Sequence, residues 1–343
     1  MDVRRILAIQ LRELGDTLLM TPLLRQMQRL HPGARIDVLC QNSNRVILAH
    51  NEHVCQLMEL RRRAPPAEFL RVAWQLRRRS YDMVVDSQGL PKTALLTRLI
   101  GARRRMGVRR RWLRNRLCYT HLLAEGEPQY SAQLKLRLLQ DDRVDLGDLR
   151  LEFPTSLSDR EEASRFRARW FRGRVVALCG VSRFAERLWP APKLAEIGDR
   201  LAGYGFQIFL IYGPGQEEMA GGIASRMRCH PLVDYPVPSL PVLKEILAAC
   251  TLVVGNDGGP KHVAVSAGVP TVTVFDGPSA VCWTPPGRPE HRVVAAGLPP
   301  WQPNVAGRFV DVRRIADIPV DAVWEQVQIA LQHASLPGLG RTA

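Results

Sequence analysis

Val253-Val254-Gly255-Asn256-Asp257-Gly258-Gly259-Pro260-Lys261-His262 reads as the end of a β-strand, a glycine-rich turn and the opening of a helix. Leu252 to Gly255 is the strand, an apolar run ending at a residue that permits a tight turn or close backbone approach. Pro260 stands where a helix tolerates proline, because the first turn needs no intrahelical N–H. Lys261 to Ala267 continues as helix and Val269 to Phe275 as the next strand. Strand, short crossover and strand make a β-α-β unit, and hence a parallel sheet.

The same alternation extends outward in both directions. Upstream lie a strand at Val175 to Cys179, a helix at Pro192 to Tyr204, a strand at Gln207 to Tyr212 and a helix at Leu240 to Cys250. Further upstream, Arg5 to Gln10 reads as a first strand, Asp16 to Leu30 as one helix, Arg35 to Cys40 as a strand, and Met83 to Asp86 as another. The regular pattern weakens from Glu125 to Leu157, where Gly126-Glu127-Pro128 precedes a helical stretch and then Phe153-Pro154. Two α/β domains are therefore expected, 1–160 and 161–343. The last helix, about 320–333, is amphipathic and is a candidate to pack back on the first domain.

Bulk composition agrees. The 343 residues suit two domains rather than one core, and 46% hydrophobic with 24% charged residues is ordinary for a folded chain. No apolar run reaches the ~20 residues of a membrane span. Arg12, Glu13 and Asp16 interrupt the stretch Ile6 to Leu24, which excludes a secretory signal and points to the cytoplasm. Seven cysteines are scattered and never form C-x-x-C, so neither a disulfide framework nor a zinc site is expected. The formal net charge is +15, and from Ser87 to Ala124 there is no Asp or Glu while Arg103, Arg104, Arg105, Arg109, Arg110, Arg111, Arg114 and Arg116 crowd together. That stretch is either a solvated arginine-rich face or a surface for polyanions: nucleic acid, an anionic membrane or a phosphorylated substrate.

Ligands of open parallel sheets bind at the carboxyl ends of strands, so three loops are the candidate chemistry. In Leu14-Gly15-Asp16-Thr17, Asp16 is either a helix N-cap, worth ~1 kcal/mol, or a general base in a cleft. In Cys179-Gly180-Val181-Ser182-Arg183-Phe184-Ala185-Glu186-Arg187-Leu188-Trp189-Pro190, Ser182 can donate to a phosphate oxygen and Arg183 or Arg187 can neutralise one. An ordinary polar connection would read the same way. In the third loop, backbone N–H groups and the helix dipole make an anion site for a diphosphate. It is neither a Walker motif nor G-x-G-x-x-G. Asp257 could instead cap the helix, and His262 could be a buried structural histidine. Gln216 and Glu217, after Tyr212-Gly213-Pro214-Gly215, are candidates for a ribose contact.

Together these motifs resemble glycosyltransferase family 9, the heptosyltransferases of the lipopolysaccharide inner core. Ile9-Gln10-Leu11-Arg12-Glu13-Leu14-Gly15-Asp16 with Thr21-Pro22-Leu23-Leu24 looks like the family's I-R-L-S-S-L-G-D-x-x-x-T-P-L-L. Tyr81-Asp82-Met83-Val84-Val85-Asp86-Ser87-Gln88-Gly89-Leu90 is similar to Y-D-x-V-x-D-x-Q-G-L. Gly255 to His262 resembles N-D-S/T-G-P-x-H, and Gly268-Val269-Pro270-Thr271 the G-V-P-T that follows.

The resemblance implies a GT-B fold: two Rossmann-like domains with parallel sheets facing across a cleft, acceptor on the first and nucleotide-sugar on the second. It implies an inverting, metal-independent transferase that moves a heptose from ADP-heptose, with no cofactor beyond the ADP-sugar substrate. Asp16 is then the base on the acceptor hydroxyl. Ser182, Arg183, Arg187, Gln216, Glu217, Asn256, Asp257, Gly258, Gly259 and His262 fall on the donor side. Gly15, Arg12, Gln88, Arg103, Arg104 and Arg105 fall on the acceptor side. The expected partners are a nucleotide-sugar, an anionic glycolipid or other glycan acceptor, and the anionic inner face of the inner membrane, with no nucleic acid.

Four positions depart from the family pattern. Gly258 replaces Ser or Thr, Arg187 stands for the usual lysine with Glu186 beside it, Lys261 replaces an apolar residue, and Phe275-Asp276-Gly277-Pro278 replaces F-G-P-T. Three other readings are distinguishable. A soluble or protein acceptor would leave the arginines without a target and abolish salt-sensitive binding to anionic liposomes. A nucleic-acid module would interleave aromatics with the basic patch, where only Trp112 and Tyr119 lie. A catalytically inactive scaffold would not need Asp16.

Overall fold

Twelve strands form two parallel sheets in a computed structural model that describes residues 3–109, 117–124, 126–182, 185–298 and 304–334. The chain divides into Met1–Pro154 and Thr155–Ala343, where the sequence pattern suggests a division at residue 160. In the first unit the elements run β1 Arg5–Gln10, α1 Leu14–Leu18, α2 Thr21–Leu30, β2 Arg35–Cys40, α3 Arg45–Leu48, β3 Gln56–Glu59, α4 Pro66–Arg77, β4 Met83–Asp86, α5 Pro91–Ile100, β5 Arg104–Val108, β6 His121–Leu123 and α6 Ser131–Arg137. In the second they run α7 Leu157–Trp170, β7 Val175–Cys179, α8 Ala191–Gly203, β8 Gln207–Leu210, α9 Glu217–Ala224, α10 Leu240–Leu247, β9 Leu252–Asn256, α11 Gly259–Ser266, β10 Thr271–Phe275, α12 Ala280–Trp283, β11 His291–Ala296, β12 Ala306–Val310 and α13 Val320–Ala334.

The first sheet has the order β3-β2-β1-β4-β5-β6, the doubly wound Rossmann arrangement, and the second the order β12-β11-β10-β9-β7-β8. Helices cover such sheets on both faces, so central strands are continuous apolar runs: β1, β4, β7, β9 and β10 are buried at nearly every position. Each sheet reverses its winding once, between β1 and β4 in the first unit and between β7 and β9 in the second. The carboxyl ends of those four strands carry Asp16, Gln88, Arg187 and Asp257 respectively in the segments that follow.

One expected helix is two. Asp16 to Leu30 breaks between α1 and α2, because Pro22 has no N–H to give and its ring would clash with the carbonyl of Leu18. The Thr21 hydroxyl donates to that carbonyl instead, at 2.8 Å. The second unit opens with a capping box, Ser156 and Asp159 each satisfying the other's backbone N–H at the start of α7. The last helix, α13, buries Ala322, Val323, Val327 and Ala330 in the second unit's core, against its sheet and α8. No helix among the described residues is long and apolar enough to cross a membrane.

Candidate active site

In the first unit the site is built by side-chain amides. Gln88 Oε1 accepts the backbone N–H of Leu11 at 2.9 Å, joining the loop after β4 to the loop after β1. Asn44 Nδ2 donates to the Arg12 carbonyl at 2.9 Å and to Thr17 Oγ1 at 3.0 Å, and Gln41 Nε2 donates to the Leu11 carbonyl. The short segment that leads into α1 is thereby held on three sides. Asp86 orders the second loop: its Oδ1 accepts the N–H groups of Gln88 and Gly89, and its Oδ2 accepts the Tyr119 hydroxyl at 2.6 Å. Complete burial pushes the Asp86 carboxyl up, against the pull of these donors. Gly89 has φ +64°, the left-handed turn that this motif needs a glycine for.

Asp16 lies in the first turn of α1, not at its cap; the N-cap position is Glu13, and no side chain caps the helix. The capping alternative is thus removed, and the Asp16 carboxylate, 23% exposed, is available for chemistry. Its ionic partner is Lys135 of α6, whose Nζ is 3.9 Å from Asp16 Oδ1. Gly15 is buried beside it, and the Arg12 side chain is exposed.

The β5 arginines do not join this group. In the parallel register Arg104 pairs with Met83 at the amino end of β4, whereas Asp16 and Gln88 lie beyond the carboxyl ends. Arg103 precedes that strand, and the Arg105 guanidinium donates to the carbonyls of Cys118 and Ala102 at 2.8 and 2.7 Å. Expectation placed Arg103, Arg104 and Arg105 with the acceptor; sheet polarity puts them on the opposite edge. Residues 110–116, which hold Arg110, Arg111, Arg114 and Arg116 of the cluster, lie outside the described residues.

The second unit's switch point carries a cationic site of its own. Arg187 is exposed on a 3-10 turn, Ala185–Arg187, and lines a pocket of about 130 Å³ with Asp257, Val274, Asp276, Ser279 and Trp283. The N-terminus of α11 opens at the same place, with Gly258 in its N-cap position and no side chain capping it. Asp257 therefore does not cap α11; it accepts from Lys261 Nζ at 3.3 Å, one turn on. Lys261 is buried, donates to the Trp283 carbonyl and stands 5.0 Å from the centre of the Phe275 ring. Burial pulls its ammonium downward in pKa, and Asp257 resists that pull.

His262 is buried at 4% exposure, packs edge-on against Trp283 and has its pKa lowered well below the ordinary imidazole value by desolvation, then by Lys261. Among the described residues, His262 Nδ1 and Asn256 Nδ2 are buried without hydrogen-bond partners. Orphaned polar atoms beside a loop of this kind are what a bound ligand satisfies. Ser182 is half-buried after β7, and Arg183 lies outside the described residues. Gln216 and Glu217 follow β8, the strand beside β7, where they close their own turn by accepting the N–H groups of Gly213 and Gly215 at 3.0 and 3.2 Å.

The residues missed by sequence reading are Lys135, Asn44 and Gln41. None stands in a motif; each reaches the site through the placement of a neighbouring element. A larger hollow of about 470 Å³, by Met58, Trp74, Arg78 and Arg79, contains none of the motif residues.

Known proteins share this fold. The chain is 25% identical over 284 residues to lipopolysaccharide heptosyltransferase 3 of Escherichia coli, covering 79% of this chain and 83% of that protein. A glycosyl transferase family 9 protein of Veillonella parvula superposes with a TM-score of 0.82 at 20% identity, covering 97% of this chain and 98% of that one. The E. coli ADP-heptose lps heptosyltransferase II superposes with a TM-score of 0.75 at 21% identity, over 97% and 100% of the two chains. These superpositions show a GT-B fold made of two Rossmann-like α/β units. Residues 69–305 match the family described as glycosyltransferase family 9 (heptosyltransferase), and the chain belongs to that family of glycosyltransferases.

Proposed function

We propose that this chain transfers a heptose from ADP-heptose to a hydroxyl of a lipopolysaccharide inner-core acceptor, with inversion and without a metal ion, at the cytoplasmic face of the inner membrane. The observation that carries this reading is the pocket at the second switch point, lined by Arg187 and by Asp257, which directly precedes Gly258 at the N-terminus of α11. A guanidinium, backbone N–H groups and a helix dipole converging on one place suit a diphosphate leaving group. The E. coli relatives named for ADP-heptose and for lipopolysaccharide support the donor and the acceptor.

In this reading the acceptor oxygen attacks the anomeric carbon while the bond to the β-phosphate oxygen breaks. ADP leaves with that electron pair, and Arg187 with the amides near Gly258 and Gly259 stabilises the growing charge. Asp16 takes the hydroxyl proton as the new bond forms. Charge neutralisation comes from the guanidinium and the helix end, so the scheme calls for no divalent cation. The lining carboxylates Asp257 and Asp276 are acceptors for sugar hydroxyls.

Calorimetry with ADP, UDP and GDP in the presence of a chelator tests the donor half, on the wild type and on Arg187→Ala. ADP-selective binding that weakens about 10- to 100-fold in the variant, the worth of one charge-assisted contact, supports the reading. Selective binding of another nucleotide, or none, overturns the ADP-heptose assignment.

A further inference from the structure

Lys135 is a buried cation at the first switch point. It lies on α6 at 4% exposure, with its Nζ 3.3 Å from Gln10 Oε1, 3.3 Å from the Ser87 carbonyl and 3.9 Å from Asp16 Oδ1. Those partners come from the end of β1, the loop after β4 and the first turn of α1, so one ammonium ties together the three segments that build the first unit's candidate site. Lysine is almost never buried unless it is paired, because desolvating the charge is costly. Two neutral oxygens solvate it, and the Asp16 carboxylate supplies the opposite charge.

The geometry points to Lys135 as a positioning residue for Asp16, engaging Oδ1 from the buried side so that the carboxylate presents its other oxygen to the acceptor hydroxyl. Among the described residues Lys135 is the one ionic partner of Asp16. The separation of 3.9 Å is an ion pair rather than a tight hydrogen bond, as befits a base that must still accept a proton. The neutral oxygens complete the device. Once Asp16 has taken the acceptor's proton, Gln10 Oε1 and the Ser87 carbonyl still solvate the ammonium until the proton leaves.

This inference rests on the proposed function, and the test separates the two. Steady-state turnover of ADP-heptose with a lipopolysaccharide acceptor is measured for the wild type, Asp16→Asn, Lys135→Met, Lys135→Gln and the Asp16→Asn/Lys135→Met double variant. Gln retains a hydrogen-bond donor without the charge, and it serves as the readout if Met does not fold. The expected result is a fall in kcat on the order of 10²-fold in both Lys135 variants, with KM for donor and acceptor unchanged within about 3-fold. In the Asp16→Asn background, Lys135→Met changes nothing further, because a residue that acts through Asp16 has nothing left to act on. Full kcat in the folded Lys135 variants, or losses that multiply in the double variant, overturn the role of Lys135 and leave the proposed function standing. An inactive wild type, or an Asp16→Asn variant that turns over normally, overturns the proposed function and the Lys135 role with it.

Discussion

The backbone N–H of Trp189 donates to Asn256 Oδ1 at 2.9 Å, pinning the segment that carries Arg187 to the last residue of β9. Trp189 is itself 2% exposed, and its indole N–H donates to the Ile318 carbonyl at 3.1 Å. Arg187 is therefore an exposed side chain on a fixed base, two residues from an anchored tryptophan. Replacing Asn256 by Ala strands a buried N–H, which costs about 1–3 kcal/mol. The expected outcome is a drop of that size in chemical unfolding, with ADP affinity lowered about 10-fold because Arg187 loses its register with α11. Undisturbed ADP binding in a destabilised Asn256→Ala would show that Arg187 does not depend on this anchor.

Two glycines in the decisive loop should respond in opposite ways. Gly258 has φ 173°, extended backbone open to any residue, and among the described residues a Cβ there would touch Pro260 Cδ alone, at 3.8 Å. Gly258→Thr restores the hydroxyl common at this position in the family, and it should leave stability within about 0.5 kcal/mol while tightening ADP a few-fold. A Cβ on Gly255 would instead run into the carbonyl of Cys179, its register partner across β7 and β9. Gly255→Ala should cost more than about 4 kcal/mol, the range of strained backbone and core overpacking, or give no soluble protein. Thermal melts and calorimetry on the two variants check both halves.

Acid should destabilise the second unit through its buried histidines. Burial lowers His291 to about 3, with Arg288 and Lys261 adding to the effect, and lowers His262 well below the imidazole range. Unfolded, both return to about 6.5, so below that pH the unfolded chain binds more protons and stability falls as pH falls. Each histidine then removes up to about 1.4 kcal/mol per pH unit, for His291 across the window from pH 6.5 down to about 3. Urea melts at intervals from pH 7 to pH 4.5 should show this slope, and His291→Gln should flatten it. An equal slope in the variant would mean that the acid sensitivity arises elsewhere.

What could be read directly from the sequence follows from burial. β1, β2, β4 and β7 have the bounds expected for them because a strand covered on both faces is an apolar run with visible ends. β3, Gln56–Glu59, is a half-exposed edge, β6 has only three residues, and β12 contains Gly307 and Arg308, so none carries such a run. The site divides in the same way. Gln88 and Asp257 stand in the loops just after strands, and Asp16 in the first turn of the helix that follows β1, so all three are legible from the strand-to-helix pattern. Lys135 occurs in Ser131-Ala132-Gln133-Leu134-Lys135-Leu136-Arg137, an amphipathic stretch in which a lysine reads as solvent-facing. Its burial is decided by where α6 lands on the ends of β1 and β4, and that is a tertiary fact.

The same distinction between local pattern and sheet polarity makes the arginines testable. Arg104 and Arg105 belong to a charge run that favours an anionic partner, yet the register of β5 sets them level with the amino end of β4. If that edge is remote from the chemistry, Arg104→Ala should leave both kcat and the acceptor's KM within about 2-fold of the wild type, the change expected of a surface residue outside the site. Arg105 is bonded rather than idle, since its guanidinium satisfies the carbonyls of Cys118 and Ala102. Arg105→Ala should therefore lower stability by about 1–3 kcal/mol, the worth of hydrogen bonds to a charged group, and leave KM untouched. Should either variant instead need about tenfold more acceptor for half-maximal turnover, with stability unchanged, the acceptor reaches this edge of the sheet, and charge outranks strand polarity as a guide to where it binds.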